Sequence, residues 1–148
     1  MNKNDNIETK DYFNIHHIYS KKYGKDRTIV LIQIGSFHEI YATDKLGPNI
    51  HLIARQLDII CTKKDKKKEL NKSYPYMVGF PSPVLGKYLQ KLINLKYTVI
   101  VIDQVSSPPK PKRKITGIYS PGTWMEIDNN TIDSYLVSLF LEEIKDPR

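Results

Sequence analysis

The sequence predicts a mixed α/β domain in which a central β-sheet is flanked by helices. Residues 29–34 and 97–103 are apolar runs rich in β-branched side chains, which is typical of buried strands. Residues 84–95, between these runs, carry apolar side chains at the spacing of one helical face. Strand–helix–strand order favours a right-handed crossover, so we expect the core of the sheet to be largely parallel.

Three helices are predicted from capping signals and apolar periodicity. The first covers residues 11–22 and ends at Gly24. The second begins at Asn49, whose side chain can cap it, and continues to Leu57. The third covers residues 84–95, with Ser82 or Pro83 at its start. The apolar residues expected to face the core are Tyr12, Phe13, Ile15, Ile18 and Tyr19 in the first helix, Ile50, Ile53, Ala54 and Leu57 in the second, and Leu85, Tyr88, Leu89 and Leu92 in the third.

Three shorter strands are expected at residues 59–62, 77–80 and 115–119. Residues 63–74 are rich in lysine and predict an exposed loop, and residues 106–111 predict a proline-rich loop. The character of the chain changes at Trp124. Residues 134–144 are apolar and compatible with either a strand or a helix, so they predict the start of a second domain.

Length and composition predict one soluble, intracellular domain. A chain of 148 residues can bury a core, and no apolar run approaches the ~20 residues that a membrane span needs. The first ten residues lack the apolar segment of a signal peptide. The lone cysteine, Cys61, excludes an internal disulfide framework and fits a reducing compartment. These features leave open a viral or host cytoplasm, a nucleus and a mitochondrion.

The positive charge of the chain is concentrated in two short segments. With 23 basic and 16 acidic residues the formal net charge is +7, which favours a polyanionic partner. The sequences KKDKKK at residues 63–68 and KPKRK at residues 110–114 hold much of this charge. Either segment alone is compatible with a solvated loop, but two of them in one small domain predict contact with nucleic acid.

Two enzyme motifs are incomplete in this chain. Gly86-Lys87 resembles the end of a phosphate-binding loop, but Pro81 and Tyr88 stand where that motif needs glycine and serine or threonine. Cys61 has His51 ten residues away, yet the sequence offers no orienting group for a catalytic thiol. We therefore expect the chain to perform no catalysis alone.

Two further groups of residues bear on metal binding. Asp133, Glu143 and Lys145 imitate the set of metal-dependent nucleases, in which carboxylates hold Mg²⁺ and the lysine orients water. This set gives a nuclease as one alternative function. His16 and His17 are adjacent on a predicted helix and so do not share a face, which argues against a metal there.

An aromatic ring and a carboxylate follow the first apolar run. Gly35-Ser36 interrupts the run, and Phe37 and Glu39 come directly afterwards. If the backbone there is extended, Phe37 and Glu39 point to one side and His38 to the other. Such a pair suits a planar partner with hydrogen-bonding edges. The alternative is that Phe37 is a core residue and Glu39 a surface acid.

The G-x-F-x-E motif within IGSFHEIY at residues 34–41 resembles the mismatch-reading motif of MutS, the DNA mismatch repair protein. LDIICTKK at 57–64 resembles the family's LDIxLTKR, and YMVGFPSPVLGKYLQKLI at 76–93 resembles PMAGIPxHAxxxYLxKLV. VIVIDQV at 99–105 resembles VAICEQ, and RKITGIYSPGT at 113–123 resembles RKVVRIVTPGT. The segments occur in family order and at family spacing over residues 12–123. The charge pattern and the divergent residues of these segments are similar to those of the MutS subfamily found in giant viruses and octocoral mitochondria.

The resemblance implies domain limits and residue roles. Residues 1–123 would form the mismatch-recognition domain (domain I), and residues 124–148 a linker and the start of an incomplete connector domain. Phe37 would stack into the duplex beside a mispaired base from the minor groove, Glu39 would hydrogen-bond that base, and Met77 would lie beside the groove. The expected phosphate contacts are Thr62, Lys63, Lys64, Arg113 and Lys114. Departures from the family pattern occur at Gln33, Ser36, Lys64 and Pro83, where the family often has Arg, Asp, Arg and His.

The resemblance also implies partners. The family binds mismatched double-stranded DNA as a dimer clamp powered by a C-terminal ATPase domain, so ATP, Mg²⁺ and a homodimer are expected of a longer parent protein. For this fragment we expect no cofactor, no membrane partner and weak binding alone, in the non-specific range of ~10⁻⁴–10⁻⁶ M. Two alternatives remain beside the nuclease: a binder of branched DNA or structured RNA that recognises shape, and a protein scaffold in which Phe37 is buried.

Overall fold

The computed structural model describes residues 6–124, which form a six-stranded sheet and four α-helices. The strands are β1 (Thr28–Ile34), β2 (Phe37–Ala42), β3 (Thr62–Lys63), β4 (Tyr76–Pro81), β5 (Thr98–Gln104) and β6 (Arg113–Tyr119). The helices are α1 (Tyr12–Tyr23), α2 (Ile50–Leu57), α3 (Leu85–Asn94) and α4 (Pro121–Trp124). A mixed sheet flanked by helices confirms the predicted fold class. The predicted apolar segment at 134–144 and the nuclease-like set lie outside the described residues.

The sheet is mostly antiparallel, so the expectation of a largely parallel core is wrong. The strand order is β3-β4-β2-β1-β5-β6, and only the pairing of β1 with β5 is parallel. The predicted crossover through α3 joins β4 to β5, which run in the same direction but are separated by β2 and β1. The hairpin of β1 and β2 occupies the place that a neighbouring parallel strand would take.

The hairpin exists because Gly35-Ser36 is a two-residue turn. Ile34 pairs with Phe37 across it, and Gly35 has a φ of +61°. A positive φ at the first central position is the geometry that a type II′ turn reserves for glycine, and its twist matches that of the flanking strands. The motif residues Phe37 and Glu39 therefore begin the second strand of a hairpin.

Helices cover both faces of the sheet. On one face, the Tyr12 ring of α1 packs edge-on against Tyr41, with centroids 4.9 Å apart. The Tyr12 hydroxyl donates to Val30 O at 2.5 Å and accepts from the Tyr41 backbone N–H at 3.0 Å. On the opposite face, Tyr88 of α3 stacks on Phe80 at 4.4 Å. The hydrophobic core therefore occupies both sides of β1 and β5, whose first five residues are all buried.

The second helix was predicted in detail from the local sequence. The Asn49 side chain accepts a hydrogen bond from Leu52 N at 3.2 Å, as expected of an N-cap. All four residues expected to face the core are buried: Ile50, Ile53, Ala54 and Leu57. In α3, which follows a 3₁₀ turn at Ser82–Val84, Leu89 and Leu92 are buried as predicted.

The short strand expected at residues 59–62 is displaced toward the C-terminus. Asp58 ends α2 in the left-handed conformation with a φ of +55°, and Ile59 N donates to Ala54 O at 2.9 Å. Residue 59 is therefore still part of the helix cap, and pairing with β4 begins only at Thr62. No helix within residues 6–124 has the length and apolarity to cross a lipid bilayer.

The buried face of α1 contains a histidine that periodicity did not predict. Ile18, expected to face the core, is 54% exposed, whereas His16 is 3% exposed. His16 Nε2 lies 3.0 Å from Thr28 O and 3.2 Å from Lys25 O. Because both neighbours are carbonyl acceptors, Nε2 carries the proton and donates. The imidazole therefore joins the middle of α1 to the turn that follows the helix and to the start of β1.

We expect His16 to make folding stability depend on pH. Its pKa is lowered, chiefly because burial disfavours the imidazolium, against the opposing effect of the two carbonyls. Its contribution is complete above the unfolded value of about 6.5 and is lost as pH falls through the lowered pKa, since the unfolded state binds more protons. Urea unfolding followed by circular dichroism from about pH 5 to 8 should show a steeper loss of stability in the wild type than in His16→Gln. Parallel curves for the two proteins would contradict this assignment.

Candidate nucleic-acid interface

Phe37 and Glu39 lie on the same face of the sheet. The strand β2 is extended, so Phe37, Glu39 and Tyr41 alternate with the buried His38 and Ile40. α1 packs against this face near Tyr41, at the far end of β2 from Phe37. Phe37 is 43% exposed. The interpretation of Phe37 as a buried core residue is therefore wrong.

The turn that presents Phe37 is braced by two glutamines that sequence reasoning did not identify as a pair. Gln33 Oε1 accepts from Gln104 N at 2.8 Å, and Gln33 Nε2 donates to Gly35 O at 3.1 Å. Gln104 Oε1 in turn accepts from Gly35 N at 2.7 Å. Gln33 thus holds the turn through both the oxygen and the nitrogen of its amide. Gln33 stands at the position where the family that the motifs resemble often has Arg.

The Glu39 carboxylate is held beside the strand by two neighbours. Tyr41, two residues along the same face, donates its hydroxyl to Glu39 Oε1 at 2.5 Å. Gly79 pairs with Glu39 on β4. A Cβ at Gly79 would lie 3.2 Å from Glu39 Cγ, so the glutamate stem lies directly on this part of the backbone. The side chain is consequently oriented before any ligand binds.

Thr62, Met77 and Lys64 extend the same face toward the β3 edge. Met77 pairs with Tyr41 on one side and with Thr62 on the other, so these side chains form a row across the sheet. The Lys64 Nζ lies 5.0 Å from the centroid of the Tyr41 ring, within the range of a cation–π contact. Lys63 alternates with Thr62 and belongs to the opposite face.

Arg113 and Lys114 are likewise divided between the two faces. Arg113 pairs with Gln104 and lies on the Phe37 face, where its Nε donates to Gln33 O at 2.8 Å. Lys114 pairs with Asp103 on the other face. Of the eight predicted site residues, the structure brings six to one face: Phe37, Glu39, Thr62, Lys64, Met77 and Arg113.

The two basic segments leave the sheet at opposite edges and opposite ends. The segment 63–68 follows β3, where Lys63 lies level with Ala42 at the far end of β2. The segment 110–114 leads into β6, where Arg113 pairs with Gln104 near the Phe37 turn. Five strand intervals separate the edges, about 24 Å at the usual spacing. Positive charge therefore flanks Phe37 and Glu39 on a diagonal across the sheet.

Beneath Phe37, on the opposite face, lies a polar cluster that the sequence did not reveal. His38 Nδ1 lies 2.9 Å from Ser82 Oγ, and His38 Nε2 lies 2.6 Å from Asp103 Oδ1. Thr116 donates to Asp103 Oδ2 at 2.5 Å. Burial by itself raises the pKa of Asp103, but the hydrogen bonds from His38 and Thr116 and the charge of His38 together hold it below the usual value. The cluster joins β2, β5, β6 and the turn before α3.

Cys61 and His51, which the sequence placed ten residues apart, line one cavity of about 440 Å³ with Arg55, Asp58 and Ile60. No hydrogen bond joins Cys61 to His51 among the described side chains. Burial raises the pKa of the Cys61 thiol, which disfavours the nucleophilic thiolate. The cavity therefore gives no support to a catalytic cysteine.

Residues 15–128 match the family model of MutS domain I. A protein named as a mutS homologue from Acanthamoeba polyphaga mimivirus is 35% identical over 147 residues, covering 97% of this chain and 13% of its own length. The DNA mismatch repair protein MutS of Dehalococcoides mccartyi is 32% identical over 142 residues, covering 90% of this chain and 15% of that protein. The protein of the same name from Prochlorococcus marinus is 34% identical over 116 residues, covering 75% and 12%.

This chain therefore spans between 12% and 15% of the length of these relatives. The family match includes the Phe37 turn, Glu39, the row of Tyr41, Met77 and Thr62, and the strand that carries Arg113. A giant-virus protein is among the relatives, in accord with the subfamily resemblance. The resemblance stated from the motifs is confirmed, and the chain belongs to the MutS domain I family.

Proposed function

We propose that this chain binds mismatched double-stranded DNA, with Phe37 stacking at the mispair and Glu39 hydrogen-bonding the base. The observation that carries the proposal is the pairing of an exposed aromatic ring with an oriented carboxylate on one face of a rigid hairpin. The membership of the chain in the MutS domain I family supports the choice of DNA as the ligand.

Discrimination in this proposal comes from the deformability of the duplex. Inserting an apolar ring between base pairs unstacks a step and opens a kink, at a cost of a few kcal/mol. A mispaired step is already weakened and costs less to open than a paired one. Phe37 projects beside the turn that Gln33 and Gln104 brace, so the ring can act as a wedge without the strand yielding.

The carboxylate of Glu39 adds a second layer of discrimination. It accepts a hydrogen bond from a base N–H when a mispaired base presents one. On a fully paired duplex it meets no free base edge, and repulsion from the phosphates remains. Lys64 and Arg113 on the same face offset that repulsion and can contact the backbone, which positions the duplex without reading its sequence.

We also propose that the chain is the recognition domain of a longer MutS-type protein that acts as a homodimer and hydrolyses ATP with Mg²⁺. The fraction of each relative that this chain covers supports this. ATP and Mg²⁺ would be held elsewhere in that protein, because Pro81 and Tyr88 interrupt the phosphate-binding pattern around Gly86-Lys87. A single domain with a net charge of +7 then binds DNA weakly and with strong salt dependence.

Fluorescence anisotropy with this chain tests the proposal. The ligands are a duplex with one G·T mispair, its fully paired twin, a four-way DNA junction and an RNA hairpin, each at about 50 and 200 mM salt. We expect about tenfold tighter binding to the mispaired duplex than to its twin, and weaker binding of both at high salt. Equal affinity for the two duplexes would overturn the mismatch assignment. Tightest binding to the junction or the hairpin would instead indicate recognition of shape.

A further inference from the structure

The environment of Glu39 leaves one of its two carboxylate oxygens free. Oε1 is occupied by the Tyr41 hydroxyl, whereas no hydrogen bond or ion pair reaches Oε2 within residues 6–124. No buried side-chain oxygen in that part of the chain lacks a partner, so Oε2 reaches solvent. The two oxygens of one carboxylate therefore differ in role: one is bound to the protein and the other is available to a ligand.

The tyrosine that makes this distinction is itself fixed. Tyr41 is 2% exposed, its backbone N–H donates to the Tyr12 hydroxyl, and its ring contacts both the Tyr12 ring and the Lys64 ammonium. Burial, with the adjacent Glu39, raises the pKa of the Tyr41 hydroxyl. The group therefore stays protonated at neutral pH and remains a donor.

The β4 side of Glu39 is equally restricted. Gly79 lies opposite it in the register, and a Cβ there would come within 3.2 Å of Glu39 Cγ and 3.3 Å of His38 O. Such contacts are tighter than ordinary van der Waals distances, so a methyl group would push the glutamate stem aside by a few tenths of an ångström. Glycine leaves the stem in place against β4 while Tyr41 holds the carboxylate from along β2.

We propose that Tyr41, together with Gly79, is a positioning residue that makes Glu39 read a base through Oε2 alone. This inference rests on the proposed function and deepens it. Because the Tyr41 hydroxyl bonds Oε1 and fixes the plane of the carboxylate, Oε2 is the oxygen that has no protein partner, and a base with an N–H at that point gains most. A freely rotating carboxylate would present either oxygen over a range of positions and would discriminate less between base edges.

The test is a double-mutant cycle that removes the Tyr41 hydroxyl from the protein and the N–H from the base. This chain and its Tyr41→Phe variant are titrated with duplexes carrying G·T, or G opposite difluorotoluene, a thymine isostere without the N–H. The isostere changes duplex flexibility equally for both proteins, so the ratio of its dissociation constant to that of G·T isolates the base hydrogen bond. We expect this ratio to fall about fivefold in Tyr41→Phe, because the glutamate is no longer held.

Two further variants distinguish a loss of Glu39 positioning from a general effect of substitution on the fold. Tyr88→Phe removes a hydroxyl from a ring that packs on the opposite face and should keep the wild-type ratio. Gly79→Ala retains the Tyr41 hydroxyl but displaces the glutamate stem, so its ratio should fall as in Tyr41→Phe. An unchanged ratio in Tyr41→Phe, with the wild type still preferring G·T over G·C, would overturn this inference and leave the proposed function standing. A wild type with no such preference would overturn both.

Discussion

Phe37→Ala is expected to bind a G·T duplex and its fully paired twin with equal affinity. The ring is 43% exposed and sits beside the braced turn, so its removal deletes the wedge with little effect on the core. The expected loss is the whole preference of the wild type, about tenfold for one domain. Binding that depends on Lys64, Arg113 and the basic segments should persist and should keep its salt dependence.

Anisotropy titrations of wild type and variant with both duplexes measure this effect. Ile18→Ala is the matched control, since Ile18 is 54% exposed and lies on α1, which packs near Tyr41 at the far end of β2 from Phe37. It should keep the wild-type preference. If Phe37→Ala also retained a preference for G·T, another group would have to sense the mispair, and Phe37 would not be the wedge.

His38→Ala is expected to lower the free energy of unfolding by about 3 kcal/mol. His38 is 3% exposed, bonds Ser82 and Asp103 through its two ring nitrogens, and lies parallel to the Phe80 ring at 6.3 Å. The variant removes the His38 hydrogen bond of Asp103 while that from Thr116 remains, and it opens a space in the core. Since His38 lies between Phe37 and Glu39 in β2, the loss also loosens the strand that carries both.

Urea unfolding followed by circular dichroism measures this loss. His17→Ala is the control, because His17 is exposed on α1, and it should stay within about 0.5 kcal/mol of the wild type. The lowered pKa of Asp103 also predicts how this loss of stability depends on pH. Its contribution is present above the unfolded value of about 3.9 and is lost as pH falls through the lower folded value. The difference in the free energy of unfolding between the wild type and His38→Ala should therefore become smaller in acid. If His38→Ala destabilised the protein at neutral pH by no more than His17→Ala does, the structural role of His38 would be refuted.

The paired roles of neighbouring residues follow from strand alternation. Phe37 and Glu39 lie on the face that we propose binds DNA, whereas His38 lies on the opposite face and bonds Ser82 and Asp103. Removing the Phe37 ring should change DNA recognition and leave the free energy of unfolding nearly unchanged. Removing the His38 ring should mainly lower the free energy of unfolding. Measuring both quantities for both variants distinguishes a binding residue from a supporting one.

Local patterns in the sequence were sufficient wherever the physical cause lies within a few residues. The Asn49 cap, the buried face of α2 and the strand character of residues 29–34 depend on neighbouring side chains and on the period of the backbone. The shared face of Phe37 and Glu39 also follows from the two-residue period of a strand. The Gly35-Ser36 turn was visible as an interruption, but not as the hairpin that makes the sheet mostly antiparallel.

Only the tertiary structure decided which distant residues meet. His16 faces the core in place of Ile18 because the carbonyls of Thr28 and Lys25 satisfy its ring. Neighbours in the sequence, Thr62 with Lys63 and Arg113 with Lys114, separate to opposite faces because each pair belongs to a strand.

The link from Gln33 to Gln104 spans 71 residues and that from His38 to Asp103 spans 65. Neither follows from local propensity, because the order and register of the strands set both. The sequence alone was therefore enough to place the Phe37 ring and the Glu39 carboxylate on one face of a strand. Strand pairing decided that Gln33 and Gln104 brace the turn and that Gly79 lies against the glutamate, since it alone brings distant segments within hydrogen-bonding or van der Waals distance.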